Sequence, residues 1–251
     1  MKYSLHYEDK FKYIEEGEGP PIVLLHGLFG ALSNWASVLD LFKQRYRVII
    51  PLMPIYDVTY PDPTIEGLEK FVHEFIAFKQ LEKITFVGNS LGGHIALLAT
   101  LHNPKNVEAL VLTGSSGLFE AGMGQGMPKR NDEKYVRDRV EYTFFNPKIA
   151  TVELINEVRD IIADREKAIR VVRCARSAQR MNMLKDLPNI KVPTCLIWGL
   201  NDNITPVYVA HEFHRYLPNS KLFFVDKCGH APMMEQPIRF NELMAQFLGH
   251  V

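Results

Sequence analysis

Short apolar runs alternate with longer amphipathic stretches over most of this chain. The apolar runs have the length of buried strands, and they predict strands near residues 22–26, 46–50, 83–87, 107–113, 194–199 and 221–225. The amphipathic stretches predict helices near residues 34–43, 64–79, 91–102, 206–216 and 237–248. Because strands that alternate with helices pair in parallel, the pattern predicts an α/β fold with a mostly parallel, doubly wound sheet. Two strands within residues 2–16 predict an antiparallel edge of this sheet.

One segment, from about Gly117 to Asp186, contains no strand pattern, although the strands on either side of it should be neighbours in the sheet. It begins with a stretch rich in glycine and methionine that we expect to be mobile. It continues with helical patterns near residues 131–142, 151–163 and 165–179. These features predict a helical cap over 117–186, inserted into a core domain that is formed by 1–116 and 187–251. A lid over the active site is the natural role for such a cap.

The composition fits one catalytic domain with an insertion, since the chain has 251 residues of which 47% are hydrophobic. Lys and Arg together number 29, as do Asp and Glu, and no basic stripe is interleaved with aromatic residues, so we expect no nucleic-acid partner. The three cysteines do not indicate a disulfide framework. The first residues form no signal-like apolar segment, and no later apolar run has the length of a membrane span. We therefore expect a cytoplasmic enzyme without a membrane partner, either a monomer or a homodimer.

A serine stands between glycines in the run Gly88-Asn89-Ser90-Leu91-Gly92, directly after a predicted buried strand and before a predicted helix. This is the G-x-S-x-G pattern of a nucleophile elbow, in which the serine lies on a sharp, strained turn. The glycines leave room for chain segments to cross at close range. The alternative for Ser90 is a turn serine that caps the following helix.

A serine hydroxyl is a poor nucleophile unless the chain supplies a base and a group that orients the base. Asp202 follows a predicted strand, and His230 lies in the loop after the next one, at the edge where open parallel sheets bind their ligands. The chain order Ser90, Asp202, His230 predicts a catalytic triad. Asp202 could instead be a turn residue that bonds its own backbone, and Asp226 is the nearest alternative acid.

Together these segments resemble the α/β-hydrolase superfamily, from about Pro21 to Phe247. The resemblance implies hydrolytic acyl transfer by a Ser-Asp-His triad, with no metal and no cofactor. It also implies an oxyanion hole formed by the backbone N–H groups of Leu28 and Leu91. For His26 it implies a structural role, in which the side chain holds the oxyanion loop by hydrogen bonds. Consistent with chemistry that needs no metal, the sequence lacks the His-Glu-x-x-His and paired-cysteine spacings of metal sites.

Two resemblances within the superfamily differ in the substrate. Residues 88–93 and 228–230 resemble the motifs of the carbon–carbon bond hydrolases that cleave vinylogous diketones from aromatic ring cleavage. In those enzymes the Asn beside the serine, here Asn89, helps to form the substrate site. The chain departs from that group at Ala231, where those enzymes usually carry tryptophan, and Arg159 is the nearest counterpart of their cap arginine.

Small carboxylesterases share the run of residues 26–30 and demand less of the pocket. We therefore predict a serine hydrolase that cleaves a small carboxylic ester through an acyl-enzyme intermediate. The alternatives are a carbon–carbon bond hydrolase with a ketone substrate and a catalytically silent ligand-binding protein of the same fold. The residues predicted to line the substrate pocket are Phe29, Asn89, Arg159 and Ala231. Basic residues of the cap could hold a substrate carboxylate, although at their spacing they more commonly form a solvated face: Arg165, Arg170, Arg173, Arg176 and Arg180.

Overall fold

The structure, a computed structural model, describes residues 3–30, 32–121 and 132–249. The strands in this part of the chain are β1 (His6–Glu8), β2 (Phe11–Glu16), β3 (Pro21–Leu25), β4 (Arg47–Pro51), β5 (Ile84–Asn89), β6 (Val107–Thr113), β7 (Thr194–Gly199) and β8 (Ser220–Val225). They form one sheet in the order β1-β2-β4-β3-β5-β6-β7-β8. The pairs β1/β2 and β2/β4 are antiparallel, and all other neighbours are parallel. The predicted fold class and its antiparallel edge are confirmed.

Helices follow most of the strands. They are α1 (Ala36–Phe42), α2 (Ile65–Phe78), α3 (Leu91–His102), α4 (Glu133–Glu141), α5 (Val152–Ala163), α6 (Arg165–Arg180), α7 (Val207–Tyr216), α8 (Pro232–Glu235) and α9 (Pro237–Phe247). Within the described ranges, none of the helices combines the length and the apolar character needed to cross a membrane.

Helices α4, α5 and α6 lie between β6 and β7, where the sequence predicts the cap, and we call them the cap helices. Each begins at a residue whose side chain accepts a hydrogen bond from the first turn of the helix, namely Asp132, Thr151 and Asp164. Most of the stretch rich in glycine and methionine falls on residues 122–131, which lie outside the described residues. The division of the chain into a cap and a core domain stays a prediction.

Both faces of the sheet are covered, because alternate residues of a strand point to opposite sides. In β3, Val23 and Leu25 belong to a hydrophobic cluster with side chains of α2, α3 and α7. Ile22 and Leu24 belong to a second cluster with side chains of α1 and α9. The cap helices join these clusters, since α6 contributes to the first and α4 and α5 contribute to the second. Each fully buried Val, Leu or Ile side chain stabilises the fold by about 1.5–3 kcal/mol.

Arg170 of α6 is one of the basic residues predicted as a possible binder of a substrate carboxylate, and the structure gives it a different task. Its side chain is buried, and its Nε donates to the carbonyl of Ile55 at 3.0 Å. One terminal nitrogen donates to the carbonyl of Pro54 at 3.2 Å. Arg170 therefore fastens a cap helix to the loop that follows β4, whereas Arg173 on the same helix is exposed.

We expect the substitution Arg170→Met to lower the free energy of unfolding by about 1–3 kcal/mol, because two backbone carbonyls lose a charged hydrogen-bond donor. The matched control is Arg173→Met, which should change stability by no more than about 0.5 kcal/mol at an exposed position. Urea denaturation of both variants measures the difference. Equal stability of the two variants would contradict the fastening role of Arg170.

Candidate active site

Ser90 lies on the turn between β5 and α3 with φ 53° and ψ −120°. A positive φ is rare for a residue with a side chain and costs on the order of 1–3 kcal/mol, so the surrounding structure must hold it. The backbone N–H of Ser90 donates to the carbonyl of Thr113 at 3.1 Å, and its carbonyl accepts from the N–H of Ser116 at 3.1 Å. The turn at Ser90 thus has the strained backbone that the G-x-S-x-G motif predicts, and β6 together with the loop after it keeps the turn in place.

Glycine is required around this turn because of how closely the chain segments approach. A Cβ added at Gly92 would lie 2.1 Å from the carbonyl oxygen of Leu25 in β3. A Cβ at Gly88 would lie 2.6 Å from the carbonyl oxygen of Gly92. Both distances are shorter than a van der Waals contact, so a side chain at either position would force the backbone to move. The first turn of α3 therefore rests directly on the end of β3.

Asp202 follows β7 and is buried, and four groups lie at hydrogen-bond distance from its carboxylate. The backbone N–H groups of Ile204 and Thr205 donate to Oδ1 at 2.8 and 2.9 Å, and the Thr205 hydroxyl donates to Oδ2 at 2.7 Å. The fourth group is Nδ1 of His230, which lies 2.9 Å from Oδ2 and 3.1 Å from Oδ1. Asp202 is therefore both a turn residue and the partner of the histidine. Asp226, the alternative acid, is exposed.

His230 is buried beside this carboxylate, and the contact determines its tautomer and its charge. Because Asp202 accepts at Nδ1, the proton of the neutral ring lies on Nδ1 and the lone pair lies on Nε2. Burial alone lowers the pKa of His230, but the charge and hydrogen bond of Asp202, with the charge of Glu120, raise it above its ordinary value. The imidazolium form is thus stabilised in a buried place.

Ser90 and His230 line the same cavity. Among the hydrogen bonds of the described residues there is none between the Ser90 hydroxyl and the imidazole. Such bonds are often long in a catalytic site without substrate and shorten when substrate is bound. The structure brings Asp202 and His230 into direct contact and places Ser90 in the wall of the cavity that His230 also lines.

The loop that carries His230 is attached to the residues after α4 and to α8. The N–H of His230 donates to the carbonyl of Thr143 at 2.8 Å. The carboxylate of Glu235, which is buried, accepts from the N–H groups of Gly229 at 2.6 Å, Asn146 at 2.6 Å and Phe145 at 3.2 Å. No local sequence pattern marks Glu235, because two of the N–H groups that donate to it, those of Phe145 and Asn146, lie about 90 residues away in the chain.

The loop after β3 lies against Ser90. A Cβ at Gly27 would lie 3.2 Å from Cβ of Ser90, and the Tyr56 hydroxyl donates to the carbonyl of Leu28. The N–H groups of Leu28 and Leu91 donate to no other described residue, and Leu91 is the first residue of α3, where backbone N–H groups lack helical partners. In the part of the chain that the structure describes, both predicted oxyanion donors therefore have an N–H group without a partner, Leu91 next to Ser90 in the chain and Leu28 in the wall of the same cavity.

His26 supports the same loop. Its ring lies with Nδ1 2.9 Å from the carbonyl of Gly27, while Nε2 accepts from the N–H of Met53 at 3.2 Å. Complete burial lowers the pKa of His26, so the ring is neutral and can accept at Nε2. This is the structural role that the resemblance implies for it.

The cavity has a volume of about 670 Å³ and lies between the loops at the strand ends and the cap helices. Three of the four predicted pocket residues line it, namely Phe29, Asn89 and Ala231. The Asn89 amide donates to the carbonyls of Thr113 and His230, both at 3.0 Å, so it holds the loops around the site. Most of the wall is apolar, with contributions from Leu28, Leu118, Val136, Val140, Phe144, Leu154, Val158, Ile162, Val171, Val172 and Met234.

The prediction for Arg159 is wrong. Its guanidinium pairs with Asp160 at 3.1 Å and with Glu133 at 3.9 Å, on the outside of the cap helices, and it is not among the described residues that line the cavity. Spacing along the chain did not reveal which face of α5 packs inward. Among the described residues, the charged side chains that line the cavity are Arg139, Arg176 and Glu120, of which only Arg176 was among the predicted basic residues.

Glu69, His73 and His102 form the one group in the described chain whose ligand atoms lie close enough to hold a metal ion, within 4.8 Å of one another. Both rings lie at hydrogen-bond distance from one carboxylate oxygen, 2.6 Å for His73 and 2.9 Å for His102. These ion pairs already account for the arrangement, and none of the three residues lines the cavity.

Comparisons with known proteins agree with the geometry. A model described as the alpha/beta hydrolase family matches residues 22–243. Monoacylglycerol lipase ABHD6 of Bos taurus is 25% identical over all of this chain and 82% of its own length. The 2-hydroxy-6-oxo-6-(2'-aminophenyl)hexa-2,4-dienoic acid hydrolase of Metapseudomonas resinovorans is 28% identical over 94% of this chain and 87% of its own length.

Among solved structures, one similar chain is MGS-MChE2, an alpha/beta hydrolase enzyme from the metagenome of sediments from the lagoon of Mar Chica, Morocco. It is 43% identical, with a TM-score of 0.81, and the alignment covers 98% of both chains.

The raised pKa of His230 predicts how the ring titrates. We expect NMR titration of its imidazole to give a midpoint above 6.5, the ordinary value, because Asp202 and Glu120 stabilise the protonated form. The substitution Asp202→Asn removes the nearer charge and should move the midpoint to lower pH. A midpoint below 6.5 in the unsubstituted protein would contradict this prediction.

Loss of Glu235 should lower the stability of the protein and loosen the loop that carries His230. We expect Glu235→Ala to lower the free energy of unfolding by about 2–4 kcal/mol, because three backbone N–H groups lose a charged acceptor. Glu242→Ala, at an exposed carboxylate paired with Arg239, is the control and should cost less than about 1 kcal/mol. Urea denaturation tests the pair, and similar losses in both variants would argue against the anchoring role.

Proposed function

Because the chain belongs to the alpha/beta hydrolase family, we propose that it is a serine hydrolase that cleaves a small carboxylic ester through an acyl-enzyme intermediate. The observation that carries the proposal is the buried contact of His230 with Asp202 beside a serine on a strained turn, with the serine and the histidine in the wall of one cavity. This is the arrangement that turns a serine hydroxyl into a nucleophile.

In the proposed reaction, the Ser90 oxygen attacks the ester carbonyl while Nε2 of His230 takes the hydroxyl proton. The negative charge passes to the carbonyl oxygen, which the N–H groups of Leu28 and Leu91 bind. When the carbonyl reforms, the bond to the alcohol breaks and His230 gives its proton to the departing oxygen. Water then repeats the sequence on the acyl-enzyme and releases the acid. Throughout, Asp202 orients the ring and stabilises its charge.

The apolar cavity wall supports an ester with an apolar acyl group. Side chains of all three cap helices contribute to that wall, and burying hydrocarbon there would release about 0.8 kcal/mol for each methylene group. The similarity to a monoacylglycerol lipase points to the same bond type. The acyl chain is therefore proposed to lie under the cap helices, with the scissile bond at Ser90.

The second candidate is cleavage of a carbon–carbon bond in a vinylogous diketone. It is favoured by the similarity to a dienoic acid hydrolase and by Arg139 and Arg176, which line the cavity and could bind a carboxylate. Against it, the amide of Asn89 is occupied by backbone carbonyls and Arg159 lies outside the cavity. The ester hydrolase remains the better supported of the two.

We expect the wild-type protein to hydrolyse p-nitrophenyl butyrate and to be labelled by a fluorophosphonate. The substitution Ser90→Ala should reduce kcat by about 10³-fold or more and abolish labelling, because it removes the nucleophile. Ser116→Ala, which removes another hydroxyl from the cavity wall, serves as the control for labelling and should still be modified.

The outcomes separate the three functions. Folded wild-type protein that is neither labelled nor active would overturn the serine hydrolase and favour a ligand-binding protein. If the protein turns over a vinylogous 1,5-diketone faster than any ester, as measured by the loss of the diketone's absorbance, carbon–carbon bond cleavage becomes the better supported function.

A further inference from the structure

Glu120 is a carboxyl group in the cavity wall that the proposed reaction leaves unused. It lines the same cavity as Ser90 and His230. The hydroxyl of Ser116 donates to its Oε2 at 3.2 Å. Within the described residues, no lysine or arginine forms an ion pair with it. Since a carboxyl group has about four lone-pair sites, one bond from Ser116 leaves most of its hydrogen-bonding capacity available.

The backbone on either side of Glu120 is attached to the catalytic residues. Ser116 donates its N–H to the carbonyl of Ser90 at 3.1 Å, and Ala121 donates its N–H to the carbonyl of Ile204 at 2.7 Å. Ile204 belongs to the turn whose N–H groups bind Asp202. The segment from Ser116 to Ala121 therefore runs from the nucleophile to the loop of the triad acid, and this path holds Glu120 beside both.

Glu120 also lies towards His230, since the bond from Ala121 to Ile204 holds this end of the segment at the loop of Asp202 and the charge of His230 acts on the Glu120 carboxyl group. Burial raises the pKa of Glu120, the charge of His230 and the bond from Ser116 lower it, and the charge of Asp202 raises it, with a net increase. The histidine gives its proton to the departing alcohol, so the alcohol part of an ester must lie next to the ring. A group on that part of the substrate would come within reach of Glu120.

A hydroxyl group fits this position better than other substituents. It can donate to the ionised carboxylate and accept from the protonated acid, so it forms a bond in either state of Glu120. A carboxylate would be repelled by the ionised form, and an alkyl group would leave the half-buried carboxyl group with its bond from Ser116 alone. We propose that Glu120 forms a subsite that binds a hydroxyl group on the alcohol part of the ester substrate. The inference rests on the proposed ester hydrolysis.

The other charged residues of the cavity define the competing outcome. Arg139 and Arg176 line the cavity from the cap helices α4 and α6, and neither has an ion-pair partner among the described residues. An ester with a carboxylate on its alcohol part would be drawn to these guanidinium groups and away from Glu120. Comparing substrates that differ only in this substituent therefore shows whether the site prefers a hydroxyl group at Glu120 or a carboxylate at the two arginines.

The test uses three butyrate esters with the same acyl chain: the propyl, the 2-hydroxyethyl and the carboxymethyl ester. The quantity is the ratio of kcat/KM for the hydroxyethyl ester to that for the propyl ester, because a ratio cancels any effect of Glu120 on His230 that both substrates share. We expect a ratio of about ten in the wild type, which corresponds to one well-formed hydrogen bond.

The substitution Glu120→Leu should reduce this ratio to about one, whereas Glu120→Gln should keep most of it, since an amide both donates and accepts. Glu120→Ala gives the same comparison if the leucine variant does not fold. The control is Glu108→Gln, an exposed residue of β6 outside the cavity, whose ratio should equal that of the wild type.

Two results would overturn the subsite while leaving ester hydrolysis intact. One is a ratio that stays the same in Glu120→Leu or Glu120→Ala, and the other is a wild-type preference for the carboxymethyl ester. Wild-type protein that hydrolyses none of the esters and is not labelled by a fluorophosphonate would overturn the proposed function and the subsite with it.

Discussion

The contact of the first turn of α3 with the end of β3 constrains the rest of the site. Gly92 lies so close to the carbonyl of Leu25 that no side chain can be placed between them. The chain must therefore reverse within one residue after β5, and that residue, Ser90, takes a backbone conformation that costs energy. The hydrogen bonds to Thr113 and Ser116 repay this cost by using the neighbouring strand and its loop. The glycine at position 92 and the strained turn at Ser90 thus follow from the same close contact.

A second constraint is electrostatic. The site places two carboxyl groups near one buried imidazole, where charge interactions are stronger than in water. Asp202 accepts hydrogen bonds from the turn that follows it as well as from the ring, whereas Ser116 is the one hydrogen-bond partner of the Glu120 carboxyl group among the described residues. The two acids therefore have different tasks, one fixed to the ring and the other available to a ligand.

Much of this could be predicted from the sequence because it depends on local order. Ser90, Asp202 and His230 each follow a strand, and parallel strands bring their ends to the same edge whatever the intervening segments do. The prediction for Arg159 failed for the opposite reason, since which face of α5 points inward is decided by packing against other helices. Glu120 and Glu235 were not predicted because their environment is created by contacts between segments that are distant in the chain.

The attachment of the histidine loop to the cap side has a consequence for the divergence of such proteins. The loop is bound to the carbonyl of Thr143 and, through Glu235, to the N–H groups of Phe145 and Asn146. A lineage or a protein engineer that replaces the cap helices to obtain a new pocket therefore also replaces part of the support of the loop that carries His230. Recombination points placed after Asn146 would preserve that support, whereas points placed before Thr143 would require the donor segment to supply matching partners.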